Sequence, residues 1–374
     1  MLWLFLAFLG LFGFWVFQLL TYRRRRLLYS SWRRFVRWEF WPMGAFYPAV
    51  IIYILYLGIR YRCLTLFTAA NPAIPHAGIA MMSKSEILQG LMKSPERVAR
   101  FVTFDFKAEW GKRGLVLDAF MQAHGLSFPI VLKPDFGERG KGVGIMRSRE
   151  EAMRYFRDCD ERIIAQEYVQ GEEYGVFYVR YPGEERGQIT SLTEKRPTCV
   201  VGDGTRTLER LILDDERAVC MARFFLSKHL DRLQDIVPAG QKFVLSELGT
   251  HSRGSLFLDA SAALTEELVV AFDELSQSYE GFFFGRYDVR VENRELLKQG
   301  RGFKAIELNG VVSEPTHMYD PKHGLLYAYK AMFAHWRHAF GVGAANRTLG
   351  AKPSTIKELS ALVRSFREQG KREG

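Results

Sequence analysis

Lysine and glycine come together in VLKPDFGERGKGVGI at 131–145. Lys133 ends an apolar run, and Gly137, Gly140, Gly142 and Gly144 follow in a short loop that also carries Arg139 and Lys141. Glycine lets backbone amides close on an anion and lysine adds a positive point charge, so this piece suits a phosphate. Its spacing is neither that of a P-loop nor G-x-G-x-x-G. A second piece, IIAQEYVQGEEYGV at 163–176, sets Gln166, Glu167 and Glu173 about a strand and a turn. A third joins GRYDVRV at 285–291 to FKAIELNG at 303–310. There Glu307 and Asn309 lie two apart, on one side of a strand, and Asp288 sits in an alternating run. Three oxygen-bearing side chains from two neighbouring strands suit Mg²⁺. Taken singly, each piece also has an ordinary reading: a surface loop, a solvated acidic face, a hydrogen-bonded carboxylate pair.

The elements that must position these groups are short. FPIVLKP (128–134) reads as a buried strand, REEAMRYFRD (149–158) as a helix and RIIAQEYV (162–169) as a strand. Further strands follow at 173–183 and 188–197. Residues 282–291 and 302–310 read as a strand pair. Successive strands without intervening helices predict an antiparallel or mixed sheet and an α+β fold. Ser83 with Glu86, and Thr355 with Glu358, have capping-box spacing ahead of helices at 83–94 and 356–369. VVGDGT at 200–205 reads as a turn before a helix at 206–213, with Thr205 or Thr207 as the cap.

The order of the pieces resembles the ATP-grasp superfamily over about residues 128–320. The resemblance implies two α+β subdomains gripping ATP, with Mg²⁺ as cofactor and Mn²⁺ as the alternative. It implies that Lys133 binds the nucleotide phosphates and that the loop with Gly137, Gly140 and Gly142 covers them. Gln166, Glu167, Tyr168 and Val169 resemble the hinge strand that holds adenine largely by backbone, and Glu173 the ribose-binding glutamate. Asp288, Glu307 and Asn309 resemble the metal ligands. Lys133, Arg139, Lys141, Lys195 and Arg286 are the cations implied at the reacting phosphates. The segment TEKRPTCVVGDGTRTLERLI (193–212) is similar to part of cyanophycin synthetase and related amino-acid ligases. The chain departs from D-alanine–D-alanine ligase-like members at Phe282, where they carry an arginine six residues before the metal aspartate. It departs again in GVVSEPTHMYDP after Asn309.

The resemblance implies a carbon–nitrogen ligase: a carboxylate takes the γ-phosphoryl group, and an amine displaces phosphate. A hydroxyl acceptor would make the chain a kinase instead. An inactive nucleotide-binding scaffold is the third reading. His251 and Arg253, in GTHSRG, are candidates near the acceptor.

Charge separates the chain into two regimes. The 374 residues carry a formal +10, yet nine basic residues and one acid fall within the first 62. The rest, with 43 basic and 41 acidic residues, is close to neutral, which argues against a nucleic-acid surface. Residues 1–20 are uncharged, and Arg23 to Arg26 follow the run instead of preceding it, unlike a signal peptide. This predicts a span at 2–20 with the arginines cytoplasmic. A basic interfacial stretch, Ser30–Trp41, comes next. A second apolar segment at 43–59, broken by Pro48, then reads as re-entrant or surface-lying, with a second span and a core helix as alternatives. The expected division is an anchor at 1–62, a short subdomain at 63–127, an ATP-grasp domain at 128–345 and a helical tail at 346–374. A catalytic part that needs ATP lies in the cytoplasm at the membrane. Lipid-linked or envelope-precursor carboxylates and amines are the substrates to expect there. Cys63, Cys159, Cys199 and Cys220 are widely spaced and suggest neither a metal site nor a disulfide framework.

Overall fold

Apolar runs of four to nine residues cannot satisfy their backbone groups alone, and here they pair into sheets. The computed structural model describes residues 21–372 except 81, 106–108, 138–139, 248 and 250–253, together with isolated positions before 21. The span expected at 2–20, Arg139, His251 and Arg253 lie outside the described residues. The helices are α1 (Tyr22–Val36), α2 (Met43–Arg60), α3 (Lys84–Gly90), α4 (Trp110–Ala123), α5 (Arg149–Asp158), α6 (Leu208–Asp214), α7 (Ala222–Lys228), α8 (Glu266–Ser278), α9 (Arg294–Lys298), α10 (Leu325–Thr348) and α11 (Ile356–Arg372). The strands are β1 (Phe101–Phe104), β2 (Ile130–Pro134), β3 (Gly144–Met146), β4 (Ile163–Glu167), β5 (Glu172–Val179), β6 (Gln188–Arg196), β7 (Cys199–Val201), β8 (Lys242–Val244), β9 (Leu256–Asp259), β10 (Phe284–Val291) and β11 (Lys304–Asn309).

The chain divides into two units. The larger is Ala49–Lys195 with Phe257–Gly374; the smaller is Met1–Pro48 with Arg196–Leu256. The larger unit holds a four-stranded sheet, β1-β4-β2-β3, and a five-stranded sheet, β11-β10-β5-β6-β9. The ladders β1–β4, β2–β4, β2–β3, β5–β6, β5–β10 and β10–β11 are all antiparallel, as the run of strands without helices predicts. Each sheet is half a core that helices must complete. Leu117 and Phe120 of α4 and Phe156 of α5 bury Ile130, Leu132 and Ala165 of the first sheet. Phe272 and Leu275 of α8 cover Val176, Tyr287 and Val289 of the second, and Phe272 stacks on Phe303 at 4.6 Å.

Local signals set the helix starts. The Ser83 and Ser148 hydroxyls each accept the N–H three residues on. Thr355 and Glu358 form a complete capping box: the Glu358 carboxylate takes the Thr355 N–H at 2.7 Å, and the Thr355 hydroxyl takes the Glu358 N–H at 3.2 Å. In VVGDGT the Asp203 carboxylate receives the Thr205 and Arg206 N–H groups, and Thr207, not Thr205, caps α6.

Helix α10, 24 residues long, supports the second sheet through a buried histidine. The His335 Nε2–H donates to the Val311 carbonyl at 3.1 Å, and the ring packs edge-on to Phe177 and Phe284. Burial pushes its pKa down to about 3, so the ring is neutral at pH 7. The unfolded chain, with an ordinary histidine near 6.5, binds the proton more readily. Stability is therefore lost as pH falls below about 6.5, with a slope of about 1.4 kcal/mol per unit. Between pH 7 and pH 5 this residue alone should cost about 2 kcal/mol. Urea unfolding at the two pH values should show a drop that His335→Gln reduces by that amount. An equal drop in the variant would overturn the assignment.

Helix α2 has two dissimilar sides. Val50 and Leu57 are buried, and Tyr53 stacks on Phe333 of α10 at 4.3 Å. Ile51, Ile52, Leu55, Tyr56 and Ile59 are exposed. Among the described residues it is the one helix long and apolar enough to cross a membrane, which is weak evidence that it does so.

The smaller unit draws on residues 170 or more apart in sequence. Helix α1 packs on α6 and on the 3-10 turn Ala218–Met221. Three of its arginines have partners there: Arg23 pairs with Glu209, Arg33 with Glu216, and the Arg26 Nε donates to the Leu213 carbonyl at 2.7 Å. Leu208, Leu211, Phe225 and Leu226 form its core, with Tyr22 and Leu27 packed against it.

Candidate active site

Register builds the first half of the site. On β10 and β11, Asp288 stands opposite Glu307 and Arg286 opposite Asn309. On β5, Glu173 stands opposite both Arg290 of β10 and Lys195 of β6, while Gly175 stands opposite both Asp288 and Thr193. Residues two apart share a face, so Glu173, Lys195, Arg286, Asp288 and Arg290 project together. The missing side chain at Gly175 has a specific effect. Lys195 reaches over β5 to Asp288, placing its Nζ 2.9 Å from Oδ2 although one strand intervenes. A Cβ at 175 would lie 3.4 Å from Arg286 Cδ and 3.5 Å from Lys195 Cε.

These groups form one alternating chain of charges. Arg286 grips Asp288 through Nε at 2.9 Å and a terminal nitrogen at 3.3 Å. Lys195 bridges Asp288 and Glu173, the latter at 3.2 Å, and Arg290 completes the chain to Glu173 at 3.2 Å. Arg290 also donates to the Val169 carbonyl and lies over the Tyr168 ring. Burial by itself would raise the Asp288 carboxyl; Arg286 and Lys195 outweigh it and hold the pKa down to about 2. Asp288 is therefore an anion throughout the working range.

The second half comes from the four-stranded sheet. Lys133 on β2 and Gln166 on β4 are diagonal neighbours on one face. The register of β10–β11 slips after Asp288, leaving Ile306 as an extra residue whose carbonyl is free of the ladder. Lys133 Nζ donates to that carbonyl at 3.0 Å and to Gln166 Oε1 at 2.8 Å, while Gln166 Nε2 donates to the same carbonyl at 3.2 Å. Lys133 is thus hydrogen-bonded to the residue that precedes Glu307 on the other sheet.

Burial lowers the Lys133 pKa to about 8. Glu307, Asp288 and Asp135 oppose that shift, and Lys84 adds to it. An incoming triphosphate favours the protonated form and raises the pKa again. Binding of ATP above pH 8 should therefore take up close to one proton, and affinity should fall as pH rises through that value. Calorimetry at pH 8.5–9 in buffers of different ionisation enthalpy measures the uptake. Lys133→Met should abolish it, and its absence from the native chain would exclude Lys133 from the phosphate site.

The glycine-rich loop leaves β2 through left-handed turns: Gly140 and Gly142 have φ of 71° and 72°. Its base is held by two residues that pattern reading misses. Lys84 Nζ donates to the carbonyls of Pro134, Asp135 and Gly137, the last at 2.7 Å. Asp135 is fully buried and accepts from the Ser85 N–H, the hydroxyls of Ser83 and Ser85, and Arg162. The only sequence sign of this clamp is SKS ahead of α3 and the aspartate after Lys133-Pro134.

Of the residues singled out in the sequence, the structure brings together Lys133 and Gln166 in one group and Glu173, Lys195, Arg286 and Asp288 in another, with Glu307 and Asn309 opposite the latter. Lys141 is exposed on the loop. The Gln166 and Glu167 side chains are engaged inside the protein, Gln166 with Lys133 and Glu167 with Lys304 and the Arg100 N–H. Phe282 is fully buried among Tyr178, Tyr279 and Tyr287, so that position belongs to the core, and Arg286 is the guanidinium on the site face.

The donor set fits a hard divalent cation. Asp288, Glu307 and Asn309 offer oxygen on adjacent strands. Glu307 makes no hydrogen bond or ion pair with another described residue, and the buried Asn309 amide nitrogen has no partner.

No family model matches the chain. A stretch of 91 residues, 23% of the chain, is 33% identical to 10% of the cyanophycin synthetase of Synechocystis sp.. The cyanophycin synthetase of Trichormus variabilis is 34% identical over 89 residues, 9% of its length. The chain therefore matches about a tenth of these relatives. Among solved structures, the VanG D-Ala:D-Ser ligase of Enterococcus faecalis has a TM-score of 0.41 and 13% identity, covering 72% of this chain and 64% of its own. The D-alanine–D-alanine ligase of Bacillus anthracis gives 0.41 and 14%, covering 72% and 68%. Likenesses at that level carry no argument about this chain.

Proposed function

We infer that the chain is an ATP- and Mg²⁺-dependent ligase of ATP-grasp type that joins a carboxylate to an amine. One observation carries this reading: Lys133 of one sheet donates to the Ile306 carbonyl of the other, on the strand that carries Glu307 and Asn309 opposite the Arg286–Asp288–Lys195 cluster. The partial similarity to cyanophycin synthetase supports it. Lys133, Lys195 and Arg286 neutralise the triphosphate, with Arg139 and Lys141 closing over it from the loop. Backbone groups of 166–169 and Glu173 hold the nucleoside. Asp288, Glu307 and Asn309 would hold Mg²⁺, which supplies charge neutralisation at the phosphate oxygens. A substrate carboxylate oxygen attacks the γ-phosphorus in line, the bond to ADP breaks, and an acyl phosphate forms. The amine then attacks the acyl carbon, phosphate leaves, and the amine gives up a proton.

The outer face of α2 supports a working position on the cytoplasmic membrane surface and a substrate presented there, lipid-linked or destined for the envelope. Two measurements test the two halves. With γ-labelled ATP and a membrane extract, a ligase releases labelled free phosphate. Label retained in a product means a kinase, and no turnover with any extract means a scaffold. In flotation with anionic vesicles the full chain should rise with the lipid, and the pair Ile52→Glu and Ile59→Glu should weaken that recovery. Unchanged recovery would remove α2 from the membrane contact and leave the chemistry untouched.

A further inference from the structure

The smaller unit contains a cavity that the catalytic reading leaves unused. It lies beside α1, the turn after it and α7, and has a volume of about 720 Å³. That is within the roughly 300–1,000 Å³ typical of sites for small molecules. Phe40, Trp41, Met221 and Phe224 line it. Phe40 is 8% exposed and forms a buried cluster with Val219 and Cys220 that gives the cavity an apolar floor, while Phe35, 75% exposed, stands at its mouth. The Trp41 indole N–H donates to the Phe35 carbonyl at 2.6 Å, which satisfies its one polar atom and fixes the ring as an apolar wall.

Charge identifies the occupant. Arg34 and Arg223 also line the cavity, and both are exposed, so the cations lie outermost. Neighbouring guanidiniums in this unit have acids: Arg23 has Glu209, Arg33 has Glu216, and Arg37 and Arg217 share Glu39. Arg34 and Arg223 have neither an acid nor another hydrogen-bond partner among the described residues. Among the described residues that line the cavity none is acidic. An apolar interior under two uncompensated cations complements a hydrocarbon body with an anionic head. It does not complement a cationic amphiphile or a polar peptide. Each buried methylene would contribute about 0.8 kcal/mol, and the head would pair with the guanidiniums.

We propose that this cavity binds one hydrocarbon chain of an anionic single-chain amphiphile, with the head group on Arg34 and Arg223. The proposal is independent of the ligase reading and would survive its failure.

The test uses the full-length chain in an uncharged detergent with two photoactivatable probes, a diazirine-bearing hexadecanoic acid and the matching alcohol. Adducts are mapped by peptide. Labelling by the acid should fall within 30–45 and 220–224 and exceed labelling by the alcohol about tenfold. Arg34→Gln with Arg223→Gln, at exposed positions that leave the melting temperature unchanged, should remove that preference. Ala45→Trp, which fills the cavity from its lining, should lower both signals at least tenfold. Adducts confined to other segments would overturn the proposal, as would equal labelling by acid and alcohol in the native chain. Labelling that appears only after removal of residues 2–20 would show that the chain fills its own cavity, and would overturn it as well.

Discussion

Replacing Asp288 by Asn should reduce ATP turnover by roughly 10²–10³-fold, the loss expected when a charge that organises a transition state is removed. The side chain keeps its shape and loses its anion. Arg286 and Lys195 both aim at it, at 2.9 Å each, and Glu307 stands opposite. Neutralising it leaves two cations without their shared counter-charge and removes a carboxylate from the proposed metal donor set. Breaking a buried pair from one side typically costs about 3–5 kcal/mol. Here the cost should be at the low end, because Lys195 keeps Glu173 and Arg286 keeps the Glu314 carbonyl. Adding Lys195→Met should restore part of the lost melting temperature and none of the turnover. Recovery of turnover in the double variant would mean that the cluster is structural only.

Gly175→Leu should cut turnover about 100-fold while Gly175→Ala stays close to native. The distinction is steric. A Cβ at 175 meets its nearest neighbours at 3.4–3.5 Å, ordinary contact. A branched side chain beyond it would occupy the path by which Lys195 crosses to Asp288. A displacement of about 1 Å at a reacting group can cost that factor. Binding of ADP should change much less than turnover, because the displaced group acts on the transferred phosphate. Native turnover in Gly175→Leu would show that the Lys195–Asp288 contact is dispensable.

Much of the candidate site could be assembled from the sequence because its residues stand out by type and order. Helix α5 spans the ten residues expected of it, and the strands carrying Lys133, Glu173, Lys195, Asp288 and Glu307 all form. Local periodicity and turn chemistry are short-range signals, and they suffice for such elements. The remainder depends on pairs far apart in sequence. Arg33 meets Glu216 and Tyr22 meets Asp214, so the arginine-rich stretch that reads as an interfacial strip forms a helix of a folded unit. Lys84 and Asp135, 51 positions apart in sequence, are ordinary residues until folding brings them together at one loop base. The Ile306 bulge has no sequence signature at all, yet it creates the carbonyl on which Lys133 rests.

The two-sided helix α2 bears on how this chain could be handled. Val50 and Leu57 on its inner side are buried and Tyr53 stacks on Phe333 of α10, and α10 in turn carries His335, whose ring holds the Val311 carbonyl two residues beyond Asn309. The greasy exterior and the catalytic strand end therefore share a scaffold. Trimming the chain before residue 61 to gain solubility would strip the interior along with the exterior. Polar substitutions confined to Ile51, Ile52, Leu55 and Ile59 offer the gentler route, because those side chains are exposed and their exchange leaves the inner side of the helix intact.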